Sequence, residues 1–167
     1  MESKGPGKVY RRFLLELREL PALARSNSLA LEDFLRARLE LIERLYRDLG
    51  NPTLRSLSQD ELTVVGCRLE DLYTAFEALF QRISDEYRRL LPAGRRSVLD
   101  RMRPAVIDRE AHEKLAVLAR FRHDFRQIYG RDLEPQEVEP ALSKALELRA
   151  IYRPQLEAFM ELLRRVG

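Results

Sequence analysis

Residues 108–130, DREAHEKLAVLARFRHDFRQIYG, decide how the rest of the chain is read. An aspartate opens the stretch, a glycine closes it, and the apolar residues between them recur at intervals of three and four. Asp108 has the side chain of a helix N-cap, a carboxylate able to accept from the free N–H groups of a first turn. Gly130 suits the left-handed position that follows a helix end. The spacing therefore predicts a helix from Asp108 to Tyr129. At about 100° per residue, with Arg122 set to zero, Leu118, Phe125, Phe121, Ile128 and Val117 fall between about 320° and 220°, the core face. Arg122, Arg126 and Tyr129 share a stripe at its border, near 0°, about 40° and about −20°. His123, at about 100°, and Gln127, at about 140°, lie beyond that stripe.

Two readings of the stripe stand side by side. In the first it handles phosphate, because guanidinium groups grip phosphate oxygens in pairs and an imidazole exchanges a proton near neutral pH. Arg122 and His123 are then the catalytic candidates, with Arg126, Gln127 and Arg120 as substrate contacts. In the second, Arg122 and Arg126 pair with carboxylates of neighbouring helices and His123 is simply exposed. Periodicity does not choose between them. His112 points in nearly the same direction as His123 but about 16 Å away along the axis, and reads as a surface residue. Phe121 and Phe125 could stack on bases, but their place on the core arc reads as burial.

Outward from this helix, every periodic segment is helical. Apolar residues from Val9 through Phe13, Leu14, Leu17 and Leu20 to Leu23 predict a first helix. Asn27 or Ser28 can cap a second, which carries Leu31, Phe34, Leu35, Leu39, Ile42, Leu45 and Leu49 and stops at Gly50-Asn51-Pro52. Ser58-Gln59-Asp60-Glu61 reads as a capping box. The helix it opens runs to about Leu91, with Pro92-Ala93-Gly94 as its stop. Tyr73, in line with Leu69, Phe76 and Phe80, reads as core or dimer interface. Cys67 reads as a small buried apolar residue, since no ligand partner stands near it in sequence. Residues 95–107 read as a short helix or an irregular connection. The last helix starts near Pro135 or Pro140, reaches about Arg165, and is kinked at Pro154. The expected fold is all-α, an antiparallel bundle of four or five long helices.

Composition sets the remaining bounds. A chain of 167 residues, 45% hydrophobic and 34% charged, reads as one soluble globular domain over residues 1–167, the first seven being a flexible lead. No apolar run approaches the roughly eighteen residues of a membrane span, and the first residues lack a secretory core. A cytoplasmic address is expected, with no membrane partner. The net charge is +3, yet the segment from Arg82 to Arg131 holds 13 Lys+Arg against 7 Asp+Glu, which fits an anionic partner and equally a solvated helix surface rich in arginine. No phosphate-binding glycine loop, nucleophile elbow or metal-ligand cluster is present, so neither a cofactor nor a metal is expected.

Residues 103–135, RPAVIDREAHEKLAVLARFRHDFRQIYGRDLEP, resemble the HepT-like members of the HEPN superfamily, small all-α proteins often encoded beside a minimal nucleotidyltransferase. The likeness extends back through LEDLYTAFEALFQRISDE, residues 69–86, and covers roughly residues 60–165. It implies a homodimer whose two copies line one groove with an arginine followed four to six residues later by a histidine. In active members that groove cuts RNA without a metal. The histidine moves a proton at the 2′-hydroxyl and the arginine steadies the phosphate. The family's nucleotidyltransferase antitoxin silences the toxin by attaching AMP to a tyrosine two residues after the histidine. Arg122 matches the motif arginine and Tyr129 the modified tyrosine. Gln127 stands where the histidine usually is, and a histidine follows the arginine directly, at 123, as in a recognisable subgroup. The resemblance thus implies an endoribonuclease toxin, with RNA, a nucleotidyltransferase antitoxin and a second copy as partners. Gln127 favours an alternative, a non-catalytic dimeric helical module that binds nucleic acid or the nucleotidyltransferase.

Overall fold

In the computed structural model, which describes residues 22–88, 97–128 and 131–166, regular structure is helical throughout and no strand occurs among the described residues. The expected first helix lies outside them as far as Pro21, and so do the flexible lead, Leu91 with its Pro92-Ala93-Gly94 stop, Tyr129 and Gly130. The first described helix, α1, spans Ala22–Leu49. It runs straight through Asn27 and Ser28, which therefore do not cap it; a cap needs non-helical backbone, and the helix-favouring Ala22-Leu23-Ala24 carries the helix further back. Leu31, Leu35, Leu39, Ile42, Tyr46 and Leu49 form its buried stripe. Gly50, at φ +59°, ends it by donating its N–H to the Tyr46 carbonyl at 3.0 Å, a left-handed cap that glycine adopts without strain.

After a 3₁₀ turn at Leu54–Ser56, α2 spans Gln59–Glu86 and opens with the expected capping box. Ser58 Oγ accepts from the Glu61 N–H at 3.2 Å, and the Glu61 carboxylate accepts from the Ser58 N–H at 2.8 Å. The helix ends at Glu86, short of Leu91. A short α3, Val98–Arg101, leads into turns that bury Met102, Ala105, Val106 and Ile107. Asp108 then caps α4, Arg109–Arg126, by accepting from the Ala111 N–H at 2.8 Å. That helix also stops early, because its last turn tightens: Gln127 and Ile128 donate to Asp124 and Phe125, three residues back.

The final helical stretch is two helices rather than one kinked rod. The first, α5, spans Pro135–Arg149, and α6 spans Tyr152–Val166, separated at Ala150-Ile151. Pro154 offers no N–H to the Ala150 carbonyl and its ring would crowd that group, so the chain turns and restarts with Pro154 in a first turn.

The helices pack α1 on α2, α2 on α4, α4 on α5 and α6 back on α1. Their shared centre is aromatic. Tyr46 stacks on Tyr152 at 5.7 Å, and Phe76 meets Tyr152 edge-on at 5.1 Å. The Tyr46 hydroxyl donates to the Ala145 carbonyl at 2.8 Å, and Tyr152 donates to Glu43, so neither buried phenol is left unpaired. Two ties fix the frame around α4. Gln59 exchanges hydrogen bonds with the Leu133 backbone, 3.0 Å to the carbonyl and 3.1 Å from the N–H, and the Asp108 N–H donates to Gln155 at 2.8 Å.

The contact that sets α4 on α2 is Gly66 against Phe125. A Cβ at Gly66 would stand 2.6 Å from Phe125 Cε2 and 2.9 Å from Cζ, so the ring lies on bare backbone. Gly66→Ala is expected to destabilise the chain by about 1 kcal/mol, overpacking outweighing the helix propensity that alanine gains. Chemical denaturation measures it, and Phe125→Leu in the same chain should recover the loss. A Gly66→Ala chain as stable as wild type would show that the ring moves aside freely.

Candidate functional site

The arginines of the α4 stripe meet carboxylates of α2. Both Nη atoms of Arg122 bond Glu77, at 2.6 and 2.9 Å, in a bidentate pair. The same guanidinium lies 4.5 Å from the ring centroid of Tyr73, a cation–π contact that holds its plane. Arg126 Nε donates to the Glu70 carboxylate. Phe125 is the reason for this register: seated on Gly66, it draws the end of α4 onto α2 and lays the neighbouring stripe across Glu70 and Glu77. The Glu77 carboxylate raises the pKa of Arg122 above its ordinary value. The Tyr73 phenol is raised first by burial and then by the Glu77 charge, so it stays neutral.

The remaining residues of the expected site are spread around α4. His123 is exposed, and its imidazole has no hydrogen-bond partner among the described residues. Gln127 is exposed at the helix end. Arg120 is exposed on the α5 side, away from Arg122, and lines a different hollow. Tyr129 lies outside the described residues. The structure thus brings Arg122 and Arg126 together on the α2–α4 seam, puts His123 and Gln127 on the solvent side of it, and sets Arg120 apart. A phosphate seated on Arg122 would have to share the guanidinium with Glu77 or displace that carboxylate.

His112 is tied down rather than loose on the surface. Its Nε2 is 2.7 Å from Asp100 Oδ1, its side chain is only 16% exposed, and the pair links α3 to α4. That bond to His112 is the chief reason the Asp100 carboxyl lies below its ordinary range, with Ser97 second. Cys67, expected to be buried, is exposed. It shares the outward arc of α2 with Asp71 and Thr74, four and seven residues on. Partial burial, and then the charges of Glu70 and Asp71, raise its thiol pKa, which disfavours the reactive thiolate. Phe121 is buried and Phe125 packs half-buried against the core, in agreement with their place on the wheel. Among the described residues no three His, Cys, Asp or Glu side chains cluster closely enough to hold a metal ion, and no helix is long and apolar enough to cross a membrane.

Glu77 and Glu70 were not singled out from sequence. Their spacing held the signal, since residues seven apart on a helix share a face, but nothing local says which helix that face meets.

A family model for HepT-like proteins matches residues 65–163, which hold most of α2, all of α3, α4 and α5, and α6 to its last turn. The chain is a HepT-like protein. It belongs with the HEPN superfamily, and the helical bundle is the fold that membership calls for. No curated protein and no solved structure matches it. In this HepT-like chain Arg122 lies on the α2–α4 seam, and Gln127 follows the last residue of α4.

Proposed function

We propose that this HepT-like protein is the toxin member of a pair with a minimal nucleotidyltransferase antitoxin, and that it cuts RNA in the cytoplasm as a homodimer without a metal. The observation that carries the reading is a fixed guanidinium followed directly in the chain by an exposed imidazole. Arg122 is held by Glu77 and Tyr73, and the next residue, His123, is exposed with no partner among the described residues. In the shared groove of two copies, a His123 imidazole takes the proton of a ribose 2′-hydroxyl. The 2′-oxygen attacks the adjacent phosphorus, the bond to the 5′-oxygen breaks, and the second copy's imidazolium returns a proton to that leaving oxygen. Arg122 bears the negative charge of the five-coordinate phosphorus. The products are a 2′,3′-cyclic phosphate and a 5′-hydroxyl.

Cleavage of single-stranded RNA by the purified protein is expected to persist in EDTA and to be abolished by Arg122→Ala. A species of 19.6 kDa in light scattering would remove the shared groove. A second reading, a non-catalytic RNA-binding module, draws on the carboxylates: Glu77 and Glu70 already offset the charges of Arg122 and Arg126. RNA retained uncut by wild type in the same assay would favour it.

Tyr129 is the proposed site of silencing. An AMP group there would bring a phosphate to the arginine stripe, where charge-assisted bonds could hold it in place of RNA. Co-expression with the nucleotidyltransferase is expected to add the mass of one AMP group, and Tyr129→Phe is expected to remove the gain. Labelling at another residue would sink the idea.

A further inference from the structure

On the flank of α4 away from Arg122, α4 and α5 enclose an open cavity of about 290 Å³. Its apolar wall is made by Val117, Phe121, Phe125 and Ala141, the two rings near-parallel with centroids 5.5 Å apart. Arg120 and Asp124 stand on the rim, one helical turn apart, and neither has a side-chain partner among the described residues. The carboxylate that Arg120 might have met across the cavity, Glu137, is already engaged. It takes both Nη groups of Arg131, at 2.6 and 3.0 Å, and the Glu134 N–H at 2.8 Å. The Arg131 bonds, and then that N–H, hold the Glu137 carboxyl down to about 2, so it stays ionised and paired. The rim is left with one guanidinium and one carboxylate, neither paired to a side chain among the described residues, beside a wall that includes two aromatic rings.

We infer that this cavity is a nucleotide-binding site with a preference for guanine. A flat base is a shape that an open hollow walled by apolar and aromatic side chains accepts, and every base has an apolar face to offer. Asp124, an acceptor only, fits a base edge that presents two adjacent donors. Guanine does so through N1–H and the N2 amino group. Adenine and cytosine set a ring nitrogen acceptor beside their amino group, and uracil flanks its one imide N–H with carbonyls. Arg120, next to Asp124 on the same face of α4, takes the phosphate. The site is separate from the α2–α4 seam and does not depend on that seam cutting RNA. The same chemistry is offered by a free guanosine monophosphate and by an unstacked guanosine of single-stranded RNA.

Calorimetric titration of the full chain with guanosine, with GMP, AMP, CMP and UMP, and with a short single-stranded oligoribonucleotide containing one guanosine or an abasic residue in its place, tests this. GMP is expected to bind about tenfold more tightly than UMP, the order of discrimination that a bidentate base contact gives. Asp124→Asn should erase that preference, and Arg120→Ala should weaken GMP while leaving guanosine unchanged. Both side chains are exposed, so the variants fold, as circular dichroism will verify. Tighter binding of GMP identifies a free nucleotide as the ligand, and guanosine-dependent binding of the oligoribonucleotide alone identifies RNA. Equal affinity for the four nucleotides, binding unchanged in both variants, or no binding of any probe at millimolar concentration overturns the inference. The readout is binding, so a chain that fails to cut RNA can still show the guanine preference, and the two failures are told apart.

Discussion

His123→Ala is expected to lower RNA cleavage by a hundredfold or more while leaving the fold intact. The first half rests on chemistry: a positioned general acid or base contributes on the order of a hundred- to ten-thousandfold, and water replaces it poorly near neutral pH. The second half rests on placement. The His123 side chain is exposed and its imidazole makes no hydrogen bond to a described residue, so its loss leaves no buried partner unsatisfied. Single-turnover cleavage and a thermal melt on one preparation separate the two. A melting temperature unchanged to within about a degree beside a hundredfold slower cleavage assigns the imidazole to proton transfer. Cleavage that survives at the wild-type rate strips His123 of that role.

Phe76→Ala is expected to remove about 3–5 kcal/mol of folding free energy, a large share of the roughly 5–15 kcal/mol that holds a domain of ordinary stability together. Phe76 is fully buried, its ring centroid 6.1 Å from Phe80 and edge-on to Tyr152. It sits where α2 meets the Tyr46–Tyr152 stack that joins α1 to α6. Truncation leaves a cavity that three helices cannot close together without breaking the bonds of Tyr46 to Ala145 and of Tyr152 to Glu43. The melting temperature should fall by roughly 10 °C, and Phe76→Leu, which refills most of the volume, should cost far less. A loss below about 1 kcal/mol would mean that the site collapses freely and that the aromatic centre is not tightly packed.

The helices themselves are legible in the sequence because their causes are local. Ser58 and Glu61 are three residues apart, Asp108 and Ala111 likewise, and each pair closes its cap whatever the rest of the chain does. The core faces follow from the same short range: Leu62, Leu69, Phe76 and Ile83 recur every seventh residue and are all buried. The family was legible for a related reason, since its motif residues stand close together in the sequence. The site was legible only in direction. The wheel sets Arg122 on the border of the core, but an angle about one axis does not say what the next helix presents there.

Tertiary structure decided those neighbours. Arg122 meets Glu77, 45 residues earlier, because Phe125 rests on the bare backbone of Gly66 and so fixes the register of α4 on α2. Cys67 faces solvent although its residue type favours burial, because it lies with Asp71 on an outward arc of α2, away from the buried stripe of Leu62, Leu69 and Phe76. Pro154 was visible as a disruption, but whether it bends one helix or starts another depends on where Tyr152 is anchored. Stacking on Tyr46 and bonding to Glu43 place that residue at the head of α6, with the proline in the first turn, where its missing N–H has no helical partner to lose.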